Sequence, residues 1–182
     1  CFSSMAQMYQ RVITGQVPIQ ELDNLNYLME LLYARPLYPA TTNIGLVTSQ
    51  GDTSMVSNIS REIFSVNSTG KAINGSGIKI GVLSDSYNTQ PNNPANDDIR
   101  KLDLPGVGID ENGVLYPNPN NSIPVDSIRD YPYGQASDEG RAMLQIIHDI
   151  APGAELAFRT GVLGAVDMAD GIQELETAGC DI

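Results

Sequence analysis

The chain has few of the residues from which metal and redox sites are built. Its 182 residues include one histidine and two cysteines. The cysteines, Cys1 and Cys180, lie near opposite ends and lack the close spacing of a zinc knuckle. Because zinc sites draw on several Cys and His ligands, the sequence argues against such a site and says little about a disulfide.

Basic side chains are also scarce. The chain has 10 lysines and arginines against 22 aspartates and glutamates, a formal net charge of −12. This charge argues against nucleic acid or an anionic membrane surface as a partner. No apolar run approaches the roughly 20 residues that span a bilayer, so we expect no transmembrane segment. A hydrophobic content of 41% indicates one globular domain with its own core.

The first part of the chain is predicted to be helical. Leucine and methionine recur at helical spacing over residues 19–34, and Arg35-Pro36 ends that pattern. Asp52 is expected to cap a second amphipathic helix. The apolar residues of that helix are Met55, Val56, Ile59 and Ile63. We divide the chain into a helical N-terminal segment over residues 1–38 and a main domain over residues 39–182.

Strands and helices alternate in the main domain. Residues 78–83 are β-branched and mostly apolar, as in the central strands of parallel sheets. The elements predicted after them are a polar insert over 88–136 with short strands at 102–107 and 113–116, a helix over 137–150, a strand over 155–159, a helix over 166–178 and the start of a strand at 180–182. This order predicts an α/β fold, a parallel sheet with helices on both faces.

The helix predicted over 137–150 has sequence signals for both its N-terminus and its C-terminus. Ser137 or Asp138 can cap its N-terminus, and Ala151-Pro152-Gly153 ends it. Its predicted buried face consists of Ala142, Met143, Ile146, Ile147 and Ile150. His148 lies on the opposite face, where we expect it to be exposed or to lie in a second layer behind a site.

The sequence offers two acidic residues, Asp85 and Glu139, as candidates for an active site. Asp85 follows the strand at its carboxyl end, where sites form in open α/β sheets, although a turn-capping role is an equal alternative. Glu139 lies one turn before Met143, on the edge of the predicted buried face. Its alternative role is to complement the helix dipole. His148 points away from Glu139, which argues against it as a catalytic base.

Phosphate-binding patterns are missing from the sequence. Gly75 and Gly77 precede the strand, whereas a dinucleotide fingerprint places its glycines after the strand. No P-loop is present. Tyr87 stands where an aspartyl phosphotransferase would carry its second acidic residue.

These motifs together resemble the first half of a subtilisin-like serine peptidase domain. In that family a Gly-x-Gly turn, here Gly75-Ser76-Gly77, leads into a strand that ends in the catalytic Asp, which Asp85 matches. The next family motif is a helix that opens with His-Gly and runs on to Ala-Pro-x-Ala. The chain keeps Gly140 and Ala151-Pro152-Gly153-Ala154, and Glu139 stands at the histidine position.

A glutamate at that position resembles the related sedolisins, which use Ser, Glu and Asp. Sedolisins place their Asp four residues after the Glu, where this chain has Met143. The chain also resembles a bacterial subgroup of subtilisin-like proteins, through Ser49-Gln50-Gly51-Asp52 and Ser137-Asp138-Glu139-Gly140-Arg141-Ala142-Met143. The resemblance covers about residues 35–182. It combines the Asp position of subtilisins with the Glu position of sedolisins.

The resemblance implies part of a serine endopeptidase that acts on a polypeptide substrate. Asp85 and Glu139 would be its catalytic residues, with Glu139 as general base and acid and Asp85 holding it, since paired carboxylates can share a proton. The family's nucleophilic serine, in a Gly-Thr-Ser motif, lies downstream, and no Gly-Thr-Ser is present here. We therefore expect a fragment truncated before the nucleophile half, inactive alone and completed by the rest of its peptidase domain.

The family is usually exported and made with a pro-region. This implies a secreted, periplasmic or cell-surface protein and makes residues 1–38 pro-region-like, although an ordinary N-terminal helix is an equal alternative. The chemistry requires no cofactor, and the Asn- and Asp-rich insert offers oxygen ligands for the structural calcium common in the family. The alternative function is an inactive subtilisin-like module with a binding or structural role, because the histidine and the sedolisin Asp are both missing.

Overall fold

The computed structural model describes residues 16–34, 50–64 and 73–182. Its first element is a 3-10 helix, Ile19–Tyr27, so the helix predicted over 19–34 is present but ends at Tyr27. Short amphipathic helices gain most of their stability from packing, yet no residue of this helix is buried and Met29 beyond it is 93% exposed. The predicted boundary at residue 38 lies outside the described residues.

Two short helices replace the single helix predicted after Asp52. They are α1 (Gly51–Ser54) and α2 (Ser57–Ile63). Val56, between them, takes a left-handed φ of 62°. This conformation is rare for a β-branched residue and interrupts the helix. Asp52 lies within α1 and accepts a hydrogen bond from Ser57 Oγ at 2.6 Å.

The other elements form the main body of the fold. In chain order they are β1 (Lys79–Ser84), α3 (Pro94–Arg100), β2 (Val107–Ile109), β3 (Leu115–Pro117), β4 (Asp126–Arg129), α4 (Glu139–Ile150), β5 (Glu155–Thr160) and α5 (Ala165–Thr177). The predicted strands at 78–83 and 155–159 and the predicted helices at 137–150 and 166–178 therefore differ from the observed elements only at their ends.

A three-stranded parallel sheet, in the order β1-β5-β4, forms the centre of the fold. The last residues of the chain follow the outer edge of β1. The backbone N–H of Asp181 donates to Lys79 O, and that of Gly81 donates to Ile182 O, each at 2.8 Å. Residues 180–182 thus lie alongside β1, but they form no strand of the sheet, so the strand predicted to start there is not observed.

Helices cover both faces of this sheet. Adjacent residues of a strand point to opposite faces, and on β5 these are Phe158 and Arg159. The ring of Phe158 contacts α4 so closely that a Cβ on Gly140 would lie 2.3 Å from it. Arg159 forms ion pairs with Asp167 and Glu174 of α5. The predicted α/β architecture, a parallel sheet flanked by helices, is confirmed.

The insert over residues 88–136 is more regular than the sequence predicts. It contains α3, the antiparallel β2–β3 hairpin and β4, which joins the central sheet. The strand predicted over 102–107 is wrong, because Leu102 takes a left-handed φ of 69° and β2 begins at Val107. α3 and β4 are short and polar, so they lack the hydrophobic period that reveals such elements.

Two motifs of the sequence pack against each other. Gly75 has a φ of 89°, which favours glycine, and a Cβ there would lie 2.9 Å from the Cβ atoms of Ala151 and Ala154. The backbone N–H of Gly153 donates to Asn74 O at 2.8 Å. Small residues on both sides of this contact let the turn before β1 rest on the turn before β5.

Arg61 attaches the α1–α2 pair to the main body. Its Nη2 lies 2.6 Å from Asp52 Oδ2, and its Nη1 donates to the carbonyl oxygen of Ile150 at 2.5 Å. Ile150 ends α4, so the cation lies at the negative end of the helix dipole. Asp52, an acidic residue singled out in the sequence, therefore orients an arginine that caps α4 at its C-terminus.

The longest helix among the described residues, α5, has 13 residues. None of the helices in these three ranges is long and apolar enough to cross a membrane, as predicted.

Candidate functional site

Asp85 directly follows β1, at the carboxyl end of the sheet, and is 7% exposed. Thr160, the last residue of β5, donates its hydroxyl to the carbonyl oxygen of Asp85 at 2.6 Å. The backbone N–H of Gly161 donates to Ser84 O at 2.7 Å, which continues the pairing of β1 with β5. The backbone that carries the Asp85 carboxylate is thus fixed by the central strand.

The Asp85 carboxylate faces the first turn of α4. Its Oδ1 accepts from the backbone N–H of Glu139 at 2.9 Å and of Gly140 at 3.4 Å. Its Oδ2 accepts from the backbone N–H of Ser137 at 2.9 Å and from the Ser137 hydroxyl. Amides in the first turn of a helix have no partner within the helix, so Asp85 caps α4 from another element. Asp138, one of the two predicted caps, makes no capping bond with its own side chain.

Glu139 begins α4, and its side chain turns back to the end of β1. Its Oε2 accepts a hydrogen bond from the hydroxyl of Ser84, the residue before Asp85. The structure therefore brings together the two residues that the sequence singles out. Their contact runs from the Glu139 backbone N–H to Asp85 Oδ1, while the Glu139 carboxylate is bonded to Ser84.

Asp138, between these elements, has a function that the sequence analysis missed. It is 1% exposed and takes a left-handed φ of 56°. Its oxygens accept from Ser86 Oγ at 2.9 Å, Thr89 N at 2.9 Å, Thr89 Oγ1 at 2.6 Å, Gln90 N at 3.2 Å and Arg141 Nη1 at 2.5 Å. Burial acts to raise the pKa of Asp138, but the hydrogen bonds from Thr89, Ser86 and Gln90 outweigh it and lower that pKa. Asp138 thus ties the loop after β1 to α4 as an ionised group.

Two further acidic residues, both from the insert, support the same loop. Arg141 bridges Asp138 and Asp98, with 2.9 Å between its Nε and Asp98 Oδ2. Asp130 accepts a hydrogen bond from the backbone N–H of Tyr87 at 2.9 Å. The only sequence signal for this network is the excess of acidic residues, and their pairing depends on tertiary structure.

His148 is buried, so the expectation that it is exposed is wrong. It is 2% exposed, whereas Met143 and Ile146, predicted to be buried, are 36% and 44% exposed. The buried residues of α4 are Gly140, Leu144 and His148. Gly140 lets this side of the helix approach β5 closely. His148 lies on the same side and has a polar partner in Asn118, whose Nδ2 lies 3.0 Å from His148 Nε2.

We predict that His148 makes the chain less stable in mild acid. Burial lowers the pKa of His148 below its ordinary value of 6.5. Its contribution to the free energy of unfolding is therefore complete above pH 6.5 and is lost as the pH falls through the folded pKa. Because the chain has one histidine, His148→Gln should flatten the dependence of the urea midpoint on pH between about 7 and 5. An equal slope in both proteins would contradict this.

In the part of the chain that the structure describes, no three His, Cys, Asp or Glu side chains cluster as metal ligands. Backbone and amide oxygens also bind calcium. The structural calcium that the resemblance implies stays a prediction.

Comparison of the chain with protein-family models, curated proteins and solved structures finds no match. A function for the chain therefore rests on the geometry of its site and on the motifs of its sequence.

Proposed function

We propose that this chain is the Asp- and Glu-bearing part of a subtilisin-like serine endopeptidase. The observation that carries the proposal is the meeting of the carboxyl end of β1 with the first turn of α4, where Asp85 accepts a hydrogen bond from the Glu139 backbone. Two acidic residues at the meeting of these two elements, in contact through the Glu139 backbone N–H, are what the motif resemblance leads us to expect. The packing of Gly75 on Ala151 and Ala154 supports the same assignment of motifs.

Glu139 moves the proton in the proposed reaction. A serine oxygen attacks the carbonyl carbon of the peptide bond while Glu139 takes the hydroxyl proton. Glu139 then gives that proton to the leaving amine as the C–N bond breaks, and water hydrolyses the acyl-enzyme by the same route. The proposal takes the serine from outside these 182 residues, because the sequence contains no Gly-Thr-Ser.

Asp85 holds the base in place in this proposal. Its carboxylate binds the amides of the first turn of α4, including that of Glu139 itself.

Substitution of Glu139 in the full-length protein tests the proposal. Glu139→Gln should lower kcat/KM on denatured casein at least about 100-fold, because an amide cannot take the serine proton. Glu111→Gln, on the exposed hairpin turn, is the matched control and should retain the wild-type rate. Wild-type activity in Glu139→Gln would rule out its assigned function.

A second candidate, a catalytically inactive module with a binding or structural role, is supported by a specific observation. The Asp85 carboxylate accepts hydrogen bonds from Ser137, Glu139 and Gly140, and the Glu139 carboxylate accepts one from Ser84. Both carboxylates therefore have hydrogen-bond partners that stabilise the fold whether or not a reaction takes place.

A serine-directed fluorophosphonate probe separates the two candidates. Stoichiometric labelling of the full-length protein would exclude the inactive module, because only an activated serine reacts. A folded full-length protein that stays unlabelled would favour the module.

A further inference from the structure

Ser84 is the last residue of β1 and is held rigidly by the sheet. It pairs with Thr160 on β5, and its carbonyl oxygen accepts from the backbone N–H of Gly161 at 2.7 Å. Its hydroxyl donates to Oε2 of Glu139. A side chain anchored on the central sheet therefore bonds the carboxylate that begins α4.

This bond restricts a flexible side chain. A glutamate has three side-chain torsions and loses rotamer freedom only where a partner holds it. Ser84 has one heavy-atom torsion, so on a fixed strand its hydroxyl oxygen is limited to three staggered positions, one of which faces Glu139. A hydrogen bond to a charged acceptor is stronger than one between neutral groups. Ser84 thus selects one orientation of the Glu139 carboxylate.

We infer that Ser84 is a positioning residue for Glu139, an inference that rests on the proposed peptidase function. Two neighbouring residues then hold the base in different ways. Asp85 binds the backbone of the first turn of α4, and Ser84 orients the carboxylate. Ser84 keeps its proton throughout the reaction.

Three-bond NMR couplings of the Glu139 side chain, measured at neutral pH in the 182-residue chain, test the bond without any activity. In wild type they should report one side-chain rotamer, and loss of the donor in Ser84→Ala should average them over several rotamers. Ser84→Thr keeps a hydroxyl and should keep the single rotamer. Ser122→Ala, at an exposed serine, is the matched control. Glu139→Gln identifies the signal.

The charges around Glu139 do not change in these variants. Asp85 is the neighbouring charge at the end of β1. The nearest cation along α4, Arg141, is paired with Asp98 and Asp138. Averaged couplings of the Glu139 side chain in Ser84→Ala therefore report the lost hydroxyl.

Kinetics of the full-length protein give the second readout. Ser84→Ala should lower kcat about 10-fold and leave KM within a factor of about two, because a positioning group acts on the reacting state more than on substrate binding. Ser84→Thr should recover most of the rate. A merely structural role would not be rescued by the hydroxyl alone.

The outcomes separate the inference from the proposed function. Glu139 side-chain couplings that are equal in wild type and Ser84→Ala would overturn the inference, whatever the activity. Fluorophosphonate labelling of Ser84 itself would also overturn it, since Ser84 would then be a nucleophile. A full-length wild-type protein without peptidase activity would refute the proposed function, while rotamer averaging in Ser84→Ala would still support the orienting bond.

Discussion

Gly140→Ala is expected to lower the free energy of unfolding by about 3 kcal/mol or more. A Cβ at this position would lie 2.3 Å from Cε2 of Phe158 and 2.7 Å from the carbonyl oxygen of Ser86. Phe158 is a fully buried ring on the central strand, and the second neighbour is backbone, so neither can rotate away. Relief of the clash requires α4 to move off the sheet, which would also weaken the bonds between its first turn and Asp85.

Gly171 provides the matched control, because it is also a buried glycine within a helix. A Cβ there would lie 2.8 Å from Cδ2 at the end of the half-buried Leu83 side chain and 3.0 Å from Cδ of the buried, ion-paired Arg159. The Leu83 end can rotate, and alanine gains up to about 1 kcal/mol over glycine in a helix, so Gly171→Ala should lose clearly less stability than Gly140→Ala. Urea unfolding followed by circular dichroism measures both variants. Equal midpoints would show that the contact of α4 with Phe158 is not tight.

Asp138→Asn is expected to lower the free energy of unfolding by about 3 kcal/mol, because it removes a buried charge from its partners. Asparagine replaces one oxygen by an NH₂ group, so a donor of Ser86, Thr89 or Arg141 would face another donor. The Asp138 side chain is 0% exposed in its ion pair with Arg141. Arg141 keeps its ion pair with Asp98 in this variant. The expected loss of stability is therefore at the lower end of the range for broken buried ion pairs.

The same variant should change the stability of the chain in strong acid. The folded pKa of Asp138 lies below its ordinary value of 3.8, so its contribution is complete above pH 3.8 and is lost as the pH falls through the folded pKa. Asp138→Asn should therefore flatten the decline in the urea midpoint over that acid range. Asp97→Asn is the control, since Asp97 is 54% exposed in its ion pair with Arg100 and should contribute less than about 1 kcal/mol. A urea midpoint and an acid slope equal to those of wild type in Asp138→Asn would refute the view that Asp138 stabilises the fold as a buried, ionised group.

Elements with a strong local pattern could be predicted from the sequence. The apolar run before Asp85 gives β1, and the run from Glu155 gives β5. α4 ends where Ala151-Pro152-Gly153 stops the backbone ladder, and α5 ends before Gly179, which has a φ of 84°. In each case local backbone chemistry and the hydrophobic period agree with the tertiary structure.

The face of α4 could not be predicted, because hydropathy gives no weight to a glycine that permits close packing. Gly140 sets the contact with β5, and Asn118 of the insert satisfies His148, so the helix buries a polar residue and exposes Met143. The amphipathic pattern identified the helix and misjudged its orientation.

The approach of Asp85 to Glu139 was expected from the motifs and is present. The hydrogen bonds of Ser84 and Asp138 join residues far apart in the chain, and no local pattern reveals such partners. The sequence therefore predicted that Asp85 and Glu139 lie together but not the groups that hold them.

Asp85 follows β1 directly and also caps the first turn of α4, and this double position affects how related sequences should be compared. Asp85 accepts hydrogen bonds from the first amides of α4. A related protein that had lost the nucleophilic serine would therefore still need this aspartate in order to fold. Retention of Asp85 alone therefore does not distinguish an active relative from an inactive one. Under the proposed function, the Glu139 side chain binds none of these amides and is freer to diverge once turnover is no longer selected. A relative with Asp85 intact and neither glutamate nor histidine at position 139 would mark a lineage in which the fold was kept after the activity was lost.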